Sequence, residues 1–331
     1  MRRIPRNDSE EAVLAYKALE EPFRRVLLRY SKMNAKRMMD AITAILRASG
    51  YDGKAAVLIR QAPASAIAHL EELAERLPED ERKRFHARLY GQIGRGDLTV
   101  RRAIGDILMY GPRQDADALY EAGKGALRDV AKEGMLRGEF MVQKSIGIGW
   151  QMEVPGTREV DAFLRNRWTQ SDATDYLKPM SGAVRDEVEQ SLFLGESPDK
   201  MARRIQKVDG ISDVRAKRNA RTITTAVCND AQAEQYRRDG ITQYRFVATF
   251  DERTCPVCGA LDGQTFDVSE RKAGSNYPPI HPNCRCTTVA VLSKASEEQI
   301  ARIVNAHRND PRAKGVEYGT TYTEWAKTHV K

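Results

Sequence analysis

No stretch of this 331-residue chain approaches the ~18 consecutive uncharged apolar residues that a membrane-crossing helix requires. That absence removes a transmembrane-helix reading. An apolar core of a secretory leader is also missing: Met1-Arg2-Arg3-Ile4-Pro5-Arg6 is followed by Asp8, Ser9, Glu10 and Glu11, so maturation in cytoplasm is expected. There is no internal repeat and no low-complexity tract, which sets aside solenoids and linker-like chains. Cysteine is scarce. Five thiols in a cytoplasmic protein are not expected to form structural disulfides, and a chain of this length can bury two ordinary cores without covalent staples.

What is present is an ordinary globular balance, 41% apolar and 30% charged residues, with a net charge of +8. Spread over this length the charge favours an acidic partner or nucleic acid only mildly, and alone it does not make a DNA binder.

Helical periodicity dominates the first 155 residues. Asp8 to Glu11 has capping-box spacing, and Leu14, Leu19, Phe23, Val26, Leu27 and Tyr30 follow at helical intervals, with Pro22 expected to kink or split the segment. Met38, Ile42, Ile45 and Leu46 form a second stripe; Ile67, Leu70, Leu73 and Leu77 form a third that stops before Pro78. Helices are predicted over 80–93, 100–110 and 114–135. The pattern breaks between Gly138 and Gly156, placing a domain boundary near residue 155. Beyond it, helices are predicted over 157–167, 178–193, 197–207 and 212–239. Tyr244, Phe246, Ala248 and Phe250 then alternate as a half-buried strand, and 288–292 is a second strand. The fold class is therefore α+β and predominantly helical, with a helical domain over 1–155, a helical and short-strand domain over 156–295, and a basic tail over 296–331, part of it expected to lack order.

Four of the five cysteines lie between 255 and 286. Cys255-Pro256-Val257-Cys258-Gly259 is a C-x-x-C knuckle, with Gly259 expected to supply the backbone freedom that turns both sulfurs toward one ion. A redox dithiol uses the same spacing at a helix N-terminus, but the residues after Cys258 read as a turn. His281-Pro282-Asn283-Cys284-Arg285-Cys286 then adds three nitrogen or sulfur donors in six positions, which makes zinc-ribbon spacing. Zinc takes four ligands and five are offered. Cys255, Cys258 and Cys286 take three places, and His281 and Cys284 compete for the fourth. Either set is closed to water, so one structural Zn2+ is expected. Asp251, Arg253 and Arg285 flank the ligands and are candidates to orient them or offset thiolate charge. Cys228 stands apart, within a helical pattern, as a core residue.

A deaminase would need H-x-E ahead of P-C-x-x-C, and here His281 follows the C-x-x-C and no glutamate accompanies it. An HNH-type nuclease framed by zinc would need a second catalytic histidine, and His307 and His329 sit in the polar tail. A sequence-tolerant DNA-binding ribbon is the other rival.

From about residue 215 to 291 the chain resembles the Mu F-like, or head morphogenesis, family of phage minor head proteins. The residues that carry the likeness are Ala220-Arg221-Thr222, the run Asp251 to Cys258, Leu261-Asp262-Gly263 and His281 to Cys286. The resemblance implies a non-enzymatic virion protein acting in head assembly near the portal vertex, around DNA packaging. Its implied partners are portal, capsid or scaffold proteins and packaged DNA, with no membrane and no small-molecule substrate, and assembly would take place in host cytoplasm. Arg221-Thr222 also resembles the arginine of an ADP-ribosyltransferase site, but no Ser-Thr-Ser and Glu-x-Glu set follows it.

One basic run completes the reading. Arg203, Arg204 and Lys207 share a helical face, as do Lys217, Arg218 and Arg221, and such faces suit phosphates or an acidic portal surface. Few aromatics interleave them, so stacking on single strands is not indicated.

Overall fold

The computed structural model describes residues 6–249, 253–293, 298, 301, 302, 304, 305, 314–316 and 319–330. The described chain is mostly helical with a small antiparallel sheet. Its elements are α1 (Arg6–Ala48), α2 (Ala64–Glu75), α3 (Glu79–Gly94), α4 (Val100–Tyr110), α5 (Ala116–Ile146), β1 (Ile148–Gly149), α6 (Thr157–Leu164), α7 (Gln170–Phe193), α8 (Pro198–Gln206) and α9 (Asp209–Arg238), followed by β2 (Gln243–Val247), α10 (Pro256–Leu261), β3 (Thr265–Asp267), β4 (Thr287–Val291), β5 (Lys314–Gly315) and α11 (Tyr322–His329).

Internal contacts divide the chain into two units, one of residues 1–24, 124–167 and 217–331, the other of 25–123 and 168–216. Neither is continuous, so this division differs from a sequential one near residue 155. Its edges fall within α1, α5, α7's approach and α9, where helical periodicity carries no mark of which elements pack together.

In the unit of 25–123 and 168–216, the expected stripes do form the core. Met38, Ile42, Ile45 and Leu46 of α1 pack with Leu70 and Leu73 of α2, Phe85 of α3, Ile107 of α4 and Met201 and Ile205 of α8. Two starts are fixed by side chains. Thr169 caps α7 in a reciprocal box with Asp172, eight residues ahead of the predicted start, and Ser197 caps α8 with Pro198 behind it. Pro22 lies inside α1, which continues through it instead of splitting. A proline withholds one N–H, and the flanking turns of a long helix can carry that loss.

In the other unit, α5 and α9 cross closely. Gly138, expected to end a helix, sits mid-way along α5. A Cβ there would meet Gln235 Cβ at 2.8 Å and Gln232 Cα at 3.0 Å, and one on Gly134 would meet the Cys228 carbonyl oxygen at 2.6 Å. The two glycines therefore serve close approach, not termination. The sheet has the order β3-β2-β4, all antiparallel, with Tyr244 opposite Phe266 and Ala290, and Val247 opposite Thr287. Tyr244 and Phe246 face the core, in keeping with the predicted alternation, while Phe250 lies outside the described residues.

The tail departs from expectation where it is described. β5 pairs with β1, and α11 buries Tyr322 and Trp325 against Phe140, with His329 stacked on Trp325. Gln143, fully buried, ties this helix down: its Oε1 accepts from Trp325 Nε1 at 2.6 Å and Trp150 N at 3.2 Å, and its Nε2 donates to the Trp150 carbonyl at 3.1 Å. Buried aromatic area and satisfied polar groups outweigh the polar composition of the segment.

Beside Gln143 lies a buried acid. Glu139 is 1% exposed and accepts from Gln143 Nε2 at 3.2 Å and Gln235 Nε2 at 2.5 Å. Burial, and the Asp239 carboxyl next to it, push its pKa up from 4.5 to about 8. The folded chain then keeps a proton that the unfolded chain releases, so stability falls as pH rises from about 4.5 to about 8 and is level above. Glu139→Gln removes this titration; its amide can donate to Asp239 as the protonated carboxyl does, but it gives up one of the two bonds that Glu139 accepts from Gln143 and Gln235. Relative to the parent, the variant is expected to gain stability between pH 4.5 and pH 9 by an amount of the order of a few kcal/mol, read by denaturant melts at both pH values. An equal difference at both pH values would contradict the assignment.

Candidate metal centre

Two short motifs, far apart in sequence, meet at the end of the sheet. The first is organised by its own cysteine. Cys255 is the N-cap of α10, Pro256 takes the first helical position, and Cys255 Sγ accepts from Cys258 N at 3.3 Å. The segment after Cys258 is thus a short helix, where a turn was expected. Gly259 is helical too, and the positive backbone angles fall instead at Gly263 (φ 76°) and Asn283 (φ 66°). Leu261-Asp262-Gly263 fastens this helix to the sheet, with Ala248 N donating to Asp262 Oδ1 at 2.9 Å and Gly263 N to the Phe246 carbonyl at 2.9 Å.

The second motif turns at Asn283, whose left-handed backbone lets Cys284 N reach back to the His281 carbonyl at 3.0 Å. His281 Nδ1 lies 2.8 Å from the Pro282 carbonyl. A carbonyl only accepts, so Nδ1 carries the proton and Nε2 presents its lone pair. That lone pair faces Cys255 Sγ at 3.2 Å and Cys258 Sγ at 3.4 Å, and Cys258 Sγ is 4.0 Å from Cys284 Sγ.

The structure thus gathers all five predicted donors into two overlapping trios, Cys255-Cys258-His281 and Cys258-Cys284-Cys286, either of which can hold a metal ion. Cys258 belongs to both. Around them Phe246, Ala248, Leu261, Phe266 and Ile280 form a small apolar shell. Without a cation the thiols compete for protons. Cys284 is drawn down to about 5 by the Cys286 thiol that donates to it, and Cys286 is pushed up by the same bond. Burial and the neighbouring Cys284 push Cys258 up to about 12. The N–H of Cys258 lowers Cys255, and for His281 burial, which lowers its pKa, is outweighed by the Pro282 carbonyl and the Cys284 and Cys255 sulfurs. Crowded sulfurs of this kind are what a bound cation neutralises.

The periodicity of α9 did not reveal a polar stripe that holds the second motif. Thr222, Thr225, Asn229, Gln232 and Tyr236 recur at steps of three and four and bond in turn to Asn283 N (3.0 Å), the Cys284 carbonyl (3.0 Å), the Cys286 carbonyl (3.2 Å), Thr287 Oγ1 (3.1 Å) and the Thr288 carbonyl (3.3 Å). The signal was there as buried-side heptad spacing of hydrogen-bonding residues. Cys228, on the same helix, is buried and belongs to neither trio.

The flanking residues are placed unevenly. Arg285 is half-buried, with its carbonyl accepting from Thr249 Oγ1 at 2.8 Å, and Arg253 is exposed. Asp251 lies outside the described residues. Of the tail histidines, His329 is buried against Trp325 instead of joining the thiols, and His307 lies outside the described residues.

The basic run is only partly a solvent face. Arg203, Lys207, Lys217 and Arg218 are exposed. Arg204, however, binds Glu187 at 2.8 Å and lies 3.7 Å from Glu196, and Arg221 binds Glu20 through Nε at 2.9 Å and Nη2 at 3.3 Å. Carboxylates remote in sequence turned these two arginines inward, which spacing within their own helices did not disclose.

Fold and donor set together define an α+β protein, predominantly helical, with a Cys/His cluster whose donors could hold a metal ion. Residues 182–289 match the family described as Phage Mu protein F like protein, and that span contains all five donors. Among curated relatives, an uncharacterized protein of Haemophilus influenzae is 26% identical over 143 residues, 43% of this chain and 30% of the relative. The NAD(+)–arginine ADP-ribosyltransferase EFV of Enterococcus faecalis is 27% identical over 170 residues, 47% of this chain and 33% of the relative. The chain spans about a third of the length of these relatives. No solved structure is significantly similar.

Proposed function

We propose that the protein is a phage minor head protein acting in head morphogenesis, at the portal vertex during procapsid assembly and DNA packaging, with one structural zinc ion in its knuckle. The observation that carries the reading is the family match over 182–289, a segment that includes both halves of the donor cluster. Zinc is favoured by the thiolate-rich donors and by spacing. A tetrahedral zinc places two sulfurs ~3.8 Å apart and a sulfur and an imidazole nitrogen ~3.5 Å apart. The corresponding spacings here are 4.0 Å and 3.2–3.4 Å. Four protein donors leave no position for activated water, so the role is structural and non-enzymatic. Transferase chemistry is not part of the proposal, since Arg221 is engaged by Glu20.

The partners are portal, capsid or scaffold proteins, and the location is the virion head after assembly in host cytoplasm. Co-purification with the cognate portal or procapsid is the expected result. A phage assembled without the protein is expected to show fewer filled heads. Normal head number, DNA content and infectivity in that phage would overturn the assembly role and leave the metal site standing.

A further inference from the structure

A cavity of about 450 Å3 opens within the unit of residues 25–123 and 168–216, between α1, α2 and α4. Its volume lies in the range of small-molecule sites. Much of the wall is apolar, supplied by Met38, Ala41 and Ala44 of α1, Leu73 of α2 and Ile107 of α4. The turn after α4 adds Gln114, and α1 holds that turn in place: Asn34 Nδ2 donates to the Gly111 carbonyl at 2.8 Å and to Asp115 Oδ2 at 3.1 Å. Met38 fills the space that a side chain on Gly111 would need, since a Cβ there would lie 2.7 Å from its sulfur.

The charges in this wall are matched in pairs. Arg37 is bound by the buried Asp115, Arg76 by Glu72 at 2.6 Å, and Asp40 by Lys36 at 2.6 Å. Two polar side chains are left over. Gln114 is 6% exposed and His69 half-buried, and neither the amide nor the imidazole has a hydrogen-bond partner among the described residues. A buried polar group left unpaired is costly, and folded proteins keep few of them.

We propose that the cavity binds a small uncharged heterocycle with a ring amide edge, an N–H beside a carbonyl, as in uracil and guanine rings. The Gln114 amide presents one acceptor and one donor side by side, which is the complement of that edge. His69 supplies a further hydrogen-bonding group from α2, and the apolar wall takes the faces of the ring. An anion gains little here, because each guanidinium in the wall already has its carboxylate. Water can serve the amide but leaves the apolar wall wet, so a ring that meets both displaces it with a gain in affinity. The inference rests neither on the head-assembly reading nor on the metal.

The test is isothermal titration calorimetry of the full chain with uridine and with guanosine, both uncharged and both carrying the ring amide edge. At least one is expected to bind, and its N-methylated counterpart, 3-methyluridine or 1-methylguanosine, to bind about tenfold less tightly or worse for want of the N–H. The 5′-monophosphate is expected to bind as the nucleoside does. Gln114→Met keeps the side-chain volume and removes the polar pair. It is expected to weaken binding about tenfold or more, while its thermal midpoint without ligand stays level or rises because the unpaired buried amide is gone. Ala44→Leu, which fills the cavity without touching Gln114, is expected to weaken binding to a similar extent, with thermal melts confirming that it folds. Absence of binding by both nucleosides, equal binding of the methylated forms, or indifference to either variant would overturn the proposal. So would a monophosphate bound about tenfold more tightly than its nucleoside in a salt-sensitive way, which would make the cavity an anion site.

Discussion

Replacing Cys258 by Ser is expected to abolish metal retention and to unfold the lobe built from residues 253–291, at a cost of at least about 5 kcal/mol. Cys258 is the donor common to both trios, so without it neither trio is complete. Immediately around the donors the apolar shell is a handful of side chains near Phe246 and Ala248, much of its burial contributed by the thiols themselves, while Val268, Tyr277, Val289 and Ala290 join the larger core. A structural metal in so small a lobe supplies folding free energy directly. The contrast is Cys228→Ser, equally buried but outside the cluster, which is expected to cost about 1–2 kcal/mol and leave metal content unchanged. Thermal melts with metal analysis on both variants decide the matter. Loss of metal from the Cys228 variant, or retention by the Cys258 variant, would contradict the assigned centre.

The second large effect belongs to the crossing of α5 and α9. Gly134→Ala is expected to destabilise by about 2–3 kcal/mol, because the added methyl would sit 2.6 Å from the Cys228 carbonyl oxygen and 2.7 Å from Ala231 Cβ, and a helix backbone cannot yield as a flexible side chain can. Gly125→Ala on the same helix meets nothing within 4 Å and is expected to stabilise by about 0.5–1 kcal/mol through helix propensity alone. The same substitution thus changes sign along one helix. Denaturant melts giving both variants the same sign would show that α5 and α9 do not pack as described.

The contrast between Gly134 and Gly138 on one side and the predicted helix end on the other shows where sequence reading stops. A glycine reports that a side chain is unwanted, but not whether the cause is a turn or a neighbouring backbone. The stripes of α1, α2 and α4 were legible because burial on one face imposes a 3.6-residue period, and the alternation at Tyr244 and Phe246 was legible for the corresponding reason in a strand. The five donors were legible because metal coordination demands a rare combination of residue types at short spacing. The supports were not. Asn229 and Thr225 bond to carbonyls more than fifty residues away, Arg221 finds Glu20 some two hundred residues earlier, and Trp325 brings a polar tail into the core. Each depends on which elements meet, information that no local period contains. β3 escaped notice for a related reason: three residues are too few to display alternation, and its pairing with β2 defines it.

The central claim, that four of the five donors Cys255, Cys258, His281, Cys284 and Cys286 hold one zinc ion, is tested most directly by elemental analysis of protein purified without chelator or acid, combined with thiol alkylation before and after chelation. The account predicts about one zinc per chain, with the four clustered cysteines protected until the metal is removed. Metal-free protein whose Cys255 and Cys258 are freely alkylated in the folded state would contradict it.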